Sequence, residues 1–357
     1  MSLPFLQPYF GLSNSLQTAQ ASAGGGGVGG WVELGRTTLG AASSTITVSS
    51  LANKRYYMVL NNEIGRNAFN TDGLYRLGSG SVDTGSNYAR RISIDGGADI
   101  TSVSQTGGYH YYNAVLPRFD VSYIANYSTK EKLIQSCGMF QNTAGAGTAP
   151  IRQEHVAKWA NTSNSLDTVS FNTGGADTFN SGCEVVVLGW DPADTHTTNF
   201  WTELASVSGT GSGTTLDSGT FTAKKYLWVQ IYFNASTTFV PQFRFNGDTA
   251  TNYADRYSVN GGADGTDVSS AGYYPSASTT SPQLINTFII NNSANEKLCI
   301  SHVADRAAAG AANAPNRAEA VGKWANTANQ ITSLIFSSVS GAATLTSTSI
   351  MKVYGSN

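Results

Sequence analysis

The chain has 357 residues, of which 40% are hydrophobic and only 12% are charged, and its net charge is −2. The charged fraction is about half of that in an average soluble protein, and uncharged polar residues, Ala and Gly take its place. This balance excludes the basic surface that nucleic-acid binding or anionic-membrane binding requires, and it favours strands and turns over solvent-exposed helices.

The first 30 residues combine an apolar tip with a glycine-rich run that holds six glycines between Gly24 and Gly30. Six large apolar side chains make up the tip: Leu3, Phe5, Leu6, Tyr9, Phe10 and Leu12. A glycine-rich tether is flexible, and the tip has no core of its own to enter. We therefore predict an N-terminal extended arm that docks on another protein or on the protein's own oligomer; a disordered tail is the alternative. The segment lacks the features of a signal peptide, so we expect a soluble protein made in a reducing compartment.

A long internal repeat follows the arm. The segment "NYARRISIDGGADITSV" from Asn87 matches "NYADRYSVNGGADGTDV" from Asn252 at 11 of 17 positions, with an offset of 165 residues. The same offset relates Trp159 to Trp324, in "KWANTSNSLDTVSF" and "KWANTANQITSLIF". The order of landmarks is the same in both copies, and the repeat has the length of a whole domain. We predict an arm and linker at residues 1–30, domains at residues 31–190 and 201–357, and a short joining segment at residues 191–200.

The pieces of each copy have the pattern of β-structure. Runs such as "KRYYMVLNN" and "KKYLWVQIYF" are aromatic and β-branched, and Gly, Asn, Asp and Ser clusters separate them. One segment per copy has a weaker helical signal, "APIRQEHVAKWAN" and "APNRAEAVGKWAN", where Pro150 and Pro315 suit a first helical turn. The fold prediction is all-β, with two tandem, similar β-sandwich domains of jelly-roll type. Trp159 and Trp324 are predicted to be buried structural anchors of the repeat.

Candidate sites are few. Asp83, Asp99, Asp248 and Asp264 recur in both copies beside turn residues, but calcium-loop spacing is absent, so turn chemistry is the preferred interpretation. No histidine has a histidine at the matching position of the other copy, and no nucleophile–base motif is present, so we predict a protein without catalytic residues, metal or cofactor. The three cysteines suggest free thiols. The aromatic cluster formed by Tyr109, His110, Tyr111 and Tyr112 is a candidate exposed contact surface.

The second copy resembles β-sandwich modules of tailed-phage virion proteins. The resemblance rests on "GKWANTANQITSLIF", a Gly-containing turn and "TSTSIMKVYG", together with "RFNGDTATNYADRYSVNGGAD". The first copy departs from this pattern, with "VLGW" in place of "VYG" and "LGSGSVDTGSNY" in place of "FNGDTATNY".

The resemblance implies a non-enzymatic structural protein on the outer surface of a tailed phage particle, made in the host cytoplasm. A capsid decoration or head-fibre subunit is the preferred interpretation, and a tail-fibre or baseplate protein that binds a host surface glycan is the alternative. The expected partners are the major capsid protein or further copies of the chain, for instance in a trimer, and neither nucleic acid nor a membrane. The N-terminal arm is then the segment expected to dock on the capsid or on the oligomer.

Overall fold

The computed structural model describes residues 30–68, 73–110, 115–195 and 198–357. Every regular element in these ranges is a strand, which confirms the all-β prediction. The strands of the first domain are β1 (Val32–Thr38), β2 (Thr45–Val48), β3 (Tyr56–Glu63), β4 (Gly73–Ser79), β5 (Ser81–Val82), β6 (Tyr88–Ile94), β7 (Ile100–Gln105), β8 (Gly108–His110), β9 (Arg118–Ala125), β10 (Lys132–Phe140), β11 (Ile151–Trp159), β12 (Thr168–Asn172) and β13 (Glu184–Trp190).

The second domain repeats this series. Its strands are β14 (Thr202–Ser208), β15 (Thr215–Asp217), β16 (Tyr226–Phe233), β17 (Pro241–Phe245), β18 (Tyr253–Val259), β19 (Gly265–Ser270), β20 (Gln283–Ile290), β21 (Lys297–Asp305), β22 (Asn316–Trp324), β23 (Leu334–Ser338) and β24 (Ile350–Ser356).

Each domain is a jelly roll with one enlarged sheet. In the first domain the large sheet has the order β1-β13-β3-β9-β10-β11-β6-β7, and the small sheet has the order β2-β12-β4 with β5 and β8 on the outer edge of β4. The eight strands β1-β13-β3-β9 and β2-β12-β4-β8 form the jelly roll, and β10, β11, β6 and β7 extend its larger sheet. The second domain has the matching orders β14-β24-β16-β20-β21-β22-β18-β19 and β15-β23-β17. The confirmed fold class is therefore two tandem β-sandwiches of one topology.

Buried cross-strand aromatic pairs line the small sheet of each domain. Tyr75 on β4 stacks on Phe171 of β12 at a ring-centroid distance of 4.5 Å. In the second domain Phe243 and Phe336 occupy the matching strands and lie 5.5 Å apart. All four rings are buried, and such pairs add to the apolar burial that drives sandwich formation.

The helical signal before each tryptophan was wrong. Both segments are central strands. β11 pairs with β10 over its whole length and with β6 from Gln153 on, and β22 pairs with β21 over its whole length and with β18 from Ala318 on. On β11 the buried positions include Gln153 and His155 beside Ile151 and Trp159. Polar residues on the buried face hid the alternation of period two that marks a strand.

Within the described part of the chain, no helix is long and apolar enough to span a membrane.

Candidate functional site

A buried tryptophan closes the same corner of each jelly roll. Trp159 ends β11 and Trp324 ends β22, and each is 1% exposed. The indole Nε1 of Trp159 donates a hydrogen bond to Oδ2 of Asp83 at 2.7 Å, and Trp324 donates to Oδ2 of Asp248 at the same distance. The recurring aspartates at these two positions are therefore acceptors that fix a turn to the end of a strand.

Each of these carboxylates also accepts hydrogen bonds within its own turn. Asp83 accepts from the backbone N–H of Gly85 and from Asn87, both at 2.8 Å. Asp248 accepts from the backbone N–H of Ala250 at 2.8 Å and from Asn252 at 2.9 Å. Desolvation raises the pKa of both carboxyl groups, but the hydrogen bonds outweigh it and hold each pKa below its ordinary value.

A buried lysine lies beside each tryptophan ring. The ammonium of Lys132 is 5.7 Å from the centroid of Trp159, and that of Lys297 is 6.0 Å from the centroid of Trp324. Each ammonium donates to two backbone carbonyls at 2.8–3.0 Å. Burial lowers the pKa of Lys132 and lowers that of Lys297 to about 8. The whole corner of the fold is thus the same in both domains.

The two domains contact each other through the outer faces of their large sheets. One apolar cluster joins residues of both domains: Trp31, Met58, Leu60, Phe119, Val121, Met139, Val186 and Leu188 from the first, Phe200 from the joining segment, and Trp201, Tyr226, Trp228, Phe288, Ile290, Leu298, Ile300, Val321 and Tyr354 from the second. The ring centroids of Phe119 and Tyr226 lie 6.4 Å apart across this contact. The domain joint therefore has a continuous buried apolar core, like the core of a stable subunit interface.

A loop of the first domain, residues 141–150, covers one end of this face on the second domain. The ammonium of Lys323 donates to the carbonyl oxygens of Gln141 and Thr143 at 3.0 and 2.5 Å, and Oε1 of Glu296 accepts the N–H of Gly145 at 2.5 Å. Burial raises the pKa of Glu296 and lowers that of Lys323. Loop carbonyls and amides thus replace the water that these two charges would otherwise bind.

Ion pairs extend the contact on both sides of the apolar cluster. Arg152 Nη2 of the first domain lies 2.7 Å from Asp264 Oδ1 of the second, and the two side chains are 6% and 2% exposed. On the other side, Glu184 Oε1 accepts from Lys225 Nζ at 2.9 Å and from the Tyr226 hydroxyl at 2.8 Å. Desolvation raises the pKa of Glu184, but its hydrogen bonds outweigh that and lower the pKa below its ordinary value.

Cys137 and His302 meet in a small cleft between the domains. The thiol Sγ lies 3.1 Å from His302 Nε2, and the two residues occupy matching positions of β10 and β21. Burial raises the pKa of the thiol well above its ordinary value and lowers the pKa of the imidazole. Burial thus disfavours the charged form of both groups, whereas a catalytic cysteine acts as the thiolate. The pair packs the joint between the domains.

Of the remaining predicted site residues, the structure describes Tyr109 and His110. Tyr109 is partly buried on β8, where the guanidinium of Arg90 lies 4.4 Å from its ring centroid. His110 is the last residue of β8, and Tyr111 and Tyr112 lie outside the described residues. The six apolar residues of the predicted arm, Leu3, Phe5, Leu6, Tyr9, Phe10 and Leu12, also lie outside them.

Of the two aspartates predicted in the GGAD turns, Asp264 binds Arg152 across the joint, while Asp99 pairs with Arg91 at 2.9 Å on the surface. Among the described residues, no group of three or more His, Cys, Asp or Glu side chains could hold a metal ion.

Sequence reasoning missed the contact between the two domains. The only signal in the sequence was the short joining segment, which places the two domains near each other.

No protein-family model matches the chain, and no curated protein matches it. Among solved structures, it is similar to domains LG4–5 of the mouse laminin α1 chain at 11% identity and a TM-score of 0.20, over 91% of this chain and 90% of that one. It is also similar to the attachment invasion locus protein Ail of Yersinia pestis, at 8% identity and a TM-score of 0.14, over 76% of this chain and 98% of that one. Neisserial surface protein A is similar at 6% identity and a TM-score of 0.14, over 80% and 99% of the two chains. TM-scores this low support no conclusion about function.

Proposed function

We propose that the chain is a non-enzymatic structural component of a tailed phage particle, a capsid decoration or head-fibre subunit on the outer surface. The observation that carries the proposal is the joint between the jelly rolls. An apolar core and buried ion pairs connect two copies of one module. The two domains therefore form one continuous folded unit, which we call the block. Such a block suits a protein whose role is to occupy and connect positions on a larger assembly.

The segments that resemble virion modules support the same proposal. They include the Trp324–Asp248 hydrogen bond and strands β17, β18, β22, β23 and β24. The first domain has the same corner, with Trp159 and Asp83, although its sequence departs from the pattern. The resemblance therefore covers strands of the two sheets together with the turns between them.

The predicted arm would attach the block to the particle. The carbonyl of Trp31 accepts the N–H of Phe200 at 2.7 Å, so the point where residues 1–29 join the fold lies beside the start of the second domain. Burial of a large apolar side chain contributes about 1.5–3 kcal/mol, and six such residues offset the cost of ordering a glycine-rich tether.

The test is to delete residues 1–29 and to measure incorporation of the protein into purified particles. We expect normal folding of both domains and loss of incorporation, with full-length protein as the control and denaturant unfolding as the folding assay. Normal incorporation of the shortened chain would refute the anchoring role.

Cryo-electron microscopy of the full-length particle tests the position. Many copies on the head support decoration. A few copies on the tail, together with binding to host cells, support the glycan-binding tail-fibre or baseplate alternative instead.

A further inference from the structure

The contact between the two domains is heterologous: matching positions meet near its middle, at Cys137 and His302, and beyond it each domain uses a different end of the same sheet face. The first domain contributes the loop of residues 141–150 and the neighbouring ends of its strands. The second domain contributes what we call the receiving patch, formed by Arg256, Asp264, Glu296, Leu298, Val321 and Lys323. Because the two domains have the same fold, each also has the end that the other one uses. A heterologous contact therefore leaves one free copy of each end on the chain.

The first domain carries the same patch, uncovered. The matching residues, which we call the free patch, are identical in type at all six positions: Arg91, Asp99, Glu131, Leu133, Val156 and Lys158. Leu133 is 58% exposed while Leu298 is 1% exposed, and Val156 is 41% exposed while Val321 is 2% exposed. Lys158 and Glu131 form an ion pair on the surface, at side-chain exposures of 46% and 38%. The free patch thus has the composition of a surface that is buried elsewhere in the same molecule.

The second domain carries an uncovered copy of this loop, residues 306–315, which we call the free loop. Residues 306–315 match residues 141–150, and both loops turn at a glycine with positive φ, Gly145 at 83° and Gly310 at 89°. The loop of the second domain is exposed at nearly every position. Arg317, which matches Arg152, has a side chain that is 53% exposed, and Asp99, which matches Asp264, is 48% exposed. The same two residue types that form the buried ion pair between the domains are thus also exposed, as Arg317 on the second domain and Asp99 on the first.

We propose that a second copy of this chain docks the free loop of its second domain on the free patch of the first domain, and so repeats between chains the loop-and-patch end of the contact that joins the domains within a chain. In this contact Arg317 pairs with Asp99 of the next copy, and the N–H of Gly310 faces Glu131. Lys158 meets the carbonyls of Arg306 and Ala308. The inference concerns the isolated protein and does not rest on the proposed function.

The apolar part of this contact is smaller than the one within the chain. Leu284 and Tyr232, 49% and 42% exposed, stand where the first domain has Phe119 and Asn62. Elsewhere polar or small residues replace apolar ones, with Gln230 for Leu60, Ala304 for Met139 and Lys352 for Val186. The contact between chains is therefore weaker than the domain joint, and the charged residues contribute a larger share of its specificity.

The test uses charge reversal on the full chain and sedimentation velocity from micromolar to millimolar concentration. We expect the unmodified chain to associate as its concentration rises. Asp99→Arg and Arg317→Glu should each weaken association about tenfold or more, because each places like charges opposite each other. A mixture of the two variants should associate again, since the Glu and the Arg then face each other.

Asp217→Arg, on an exposed strand of the small sheet, is the matched control and should associate like the unmodified chain. Thermal unfolding of each variant checks that the fold is retained, and a double variant, Leu133→Asp with Val156→Asp, tests the same patch without relying on the ion pair. A chain that stays monomeric throughout the range refutes the proposal. So does association that these variants leave unchanged, or a mixture that fails to restore it.

Discussion

At the scale of single residues, the tryptophan–aspartate bond is the feature that the two domains share most closely. The Nε1–Oδ2 distance is 2.7 Å in both, although the turn that carries the aspartate reads "VDTGSNY" in one copy and "GDTATNY" in the other. The sequence predicted the two tryptophans as anchors, because they stand in nearly identical phrases. It could not predict their acceptors, since Asp83 precedes Trp159 by 76 residues and only the folded chain brings them together.

We expect Asp248→Asn to lower the free energy of unfolding of the second domain by about 1–2 kcal/mol, because a charged acceptor with three hydrogen bonds is replaced by a neutral one. Asp83→Asn should lower that of the first domain by a similar amount. Urea unfolding monitored by tryptophan fluorescence measures both, and Asp217→Asn on an exposed strand serves as the control. Equal stability of all three variants would show that the bond contributes nothing.

At the scale of elements, β11 and β22 show where sequence patterns fail. Arg, Glu, Ala and Lys are good helix formers, and both segments contain them. Pairing on both sides within a large sheet overrides this preference, because a central strand satisfies most of its backbone groups in the two ladders. The other strands were easier to predict, since aromatic and β-branched residues dominate them.

The prediction at the scale of elements concerns Glu184 on strand β13. Its pKa is lowered by bonds to Thr38, Lys225 and Tyr226 that outweigh desolvation, so its contribution to stability is present above the unfolded pKa and is lost as pH falls through the lowered folded value. We expect Glu184→Gln to destabilise the protein by about 2 kcal/mol at neutral pH, and the difference from the unmodified chain to shrink below about pH 4. Unfolding free energies at neutral and acidic pH measure this. A constant difference across the range would contradict the assignment.

At the scale of the whole molecule, the joint could not be predicted from sequence for a simple reason. Leu133 and Leu298 both follow "EK", yet one is 58% exposed and the other 1% exposed. A duplicated sequence specifies the same surface twice, and the choice of which copy is covered depends on the geometry of the pair. The repeat itself predicted two similar folds, but it holds no information about which end of each sheet makes the contact.

The duplication also supplies a matched pair for testing the joint. Arg152→Ala leaves Asp264 buried without its main partner, and we expect a loss of about 3–5 kcal/mol. Arg317→Ala removes the same side chain from the matching, exposed position of the other domain and should change stability by less than about 0.5 kcal/mol. Chemical unfolding of the two variants side by side measures the difference. Equal losses in the two variants would mean that the ion pair between Arg152 and Asp264 does not stabilise the joint.

The short segment that joins the domains, residues 191–200, has a consequence for where copies of the chain meet. A short tether holds its two ends at an effective concentration in the millimolar range, so the contact within the chain forms however dilute the protein is. The same contact between separate chains has no tether and needs a comparable local density. Dilute chains should therefore remain apart, while a surface that gathers many of them would supply the missing density and turn a weak contact into a continuous layer.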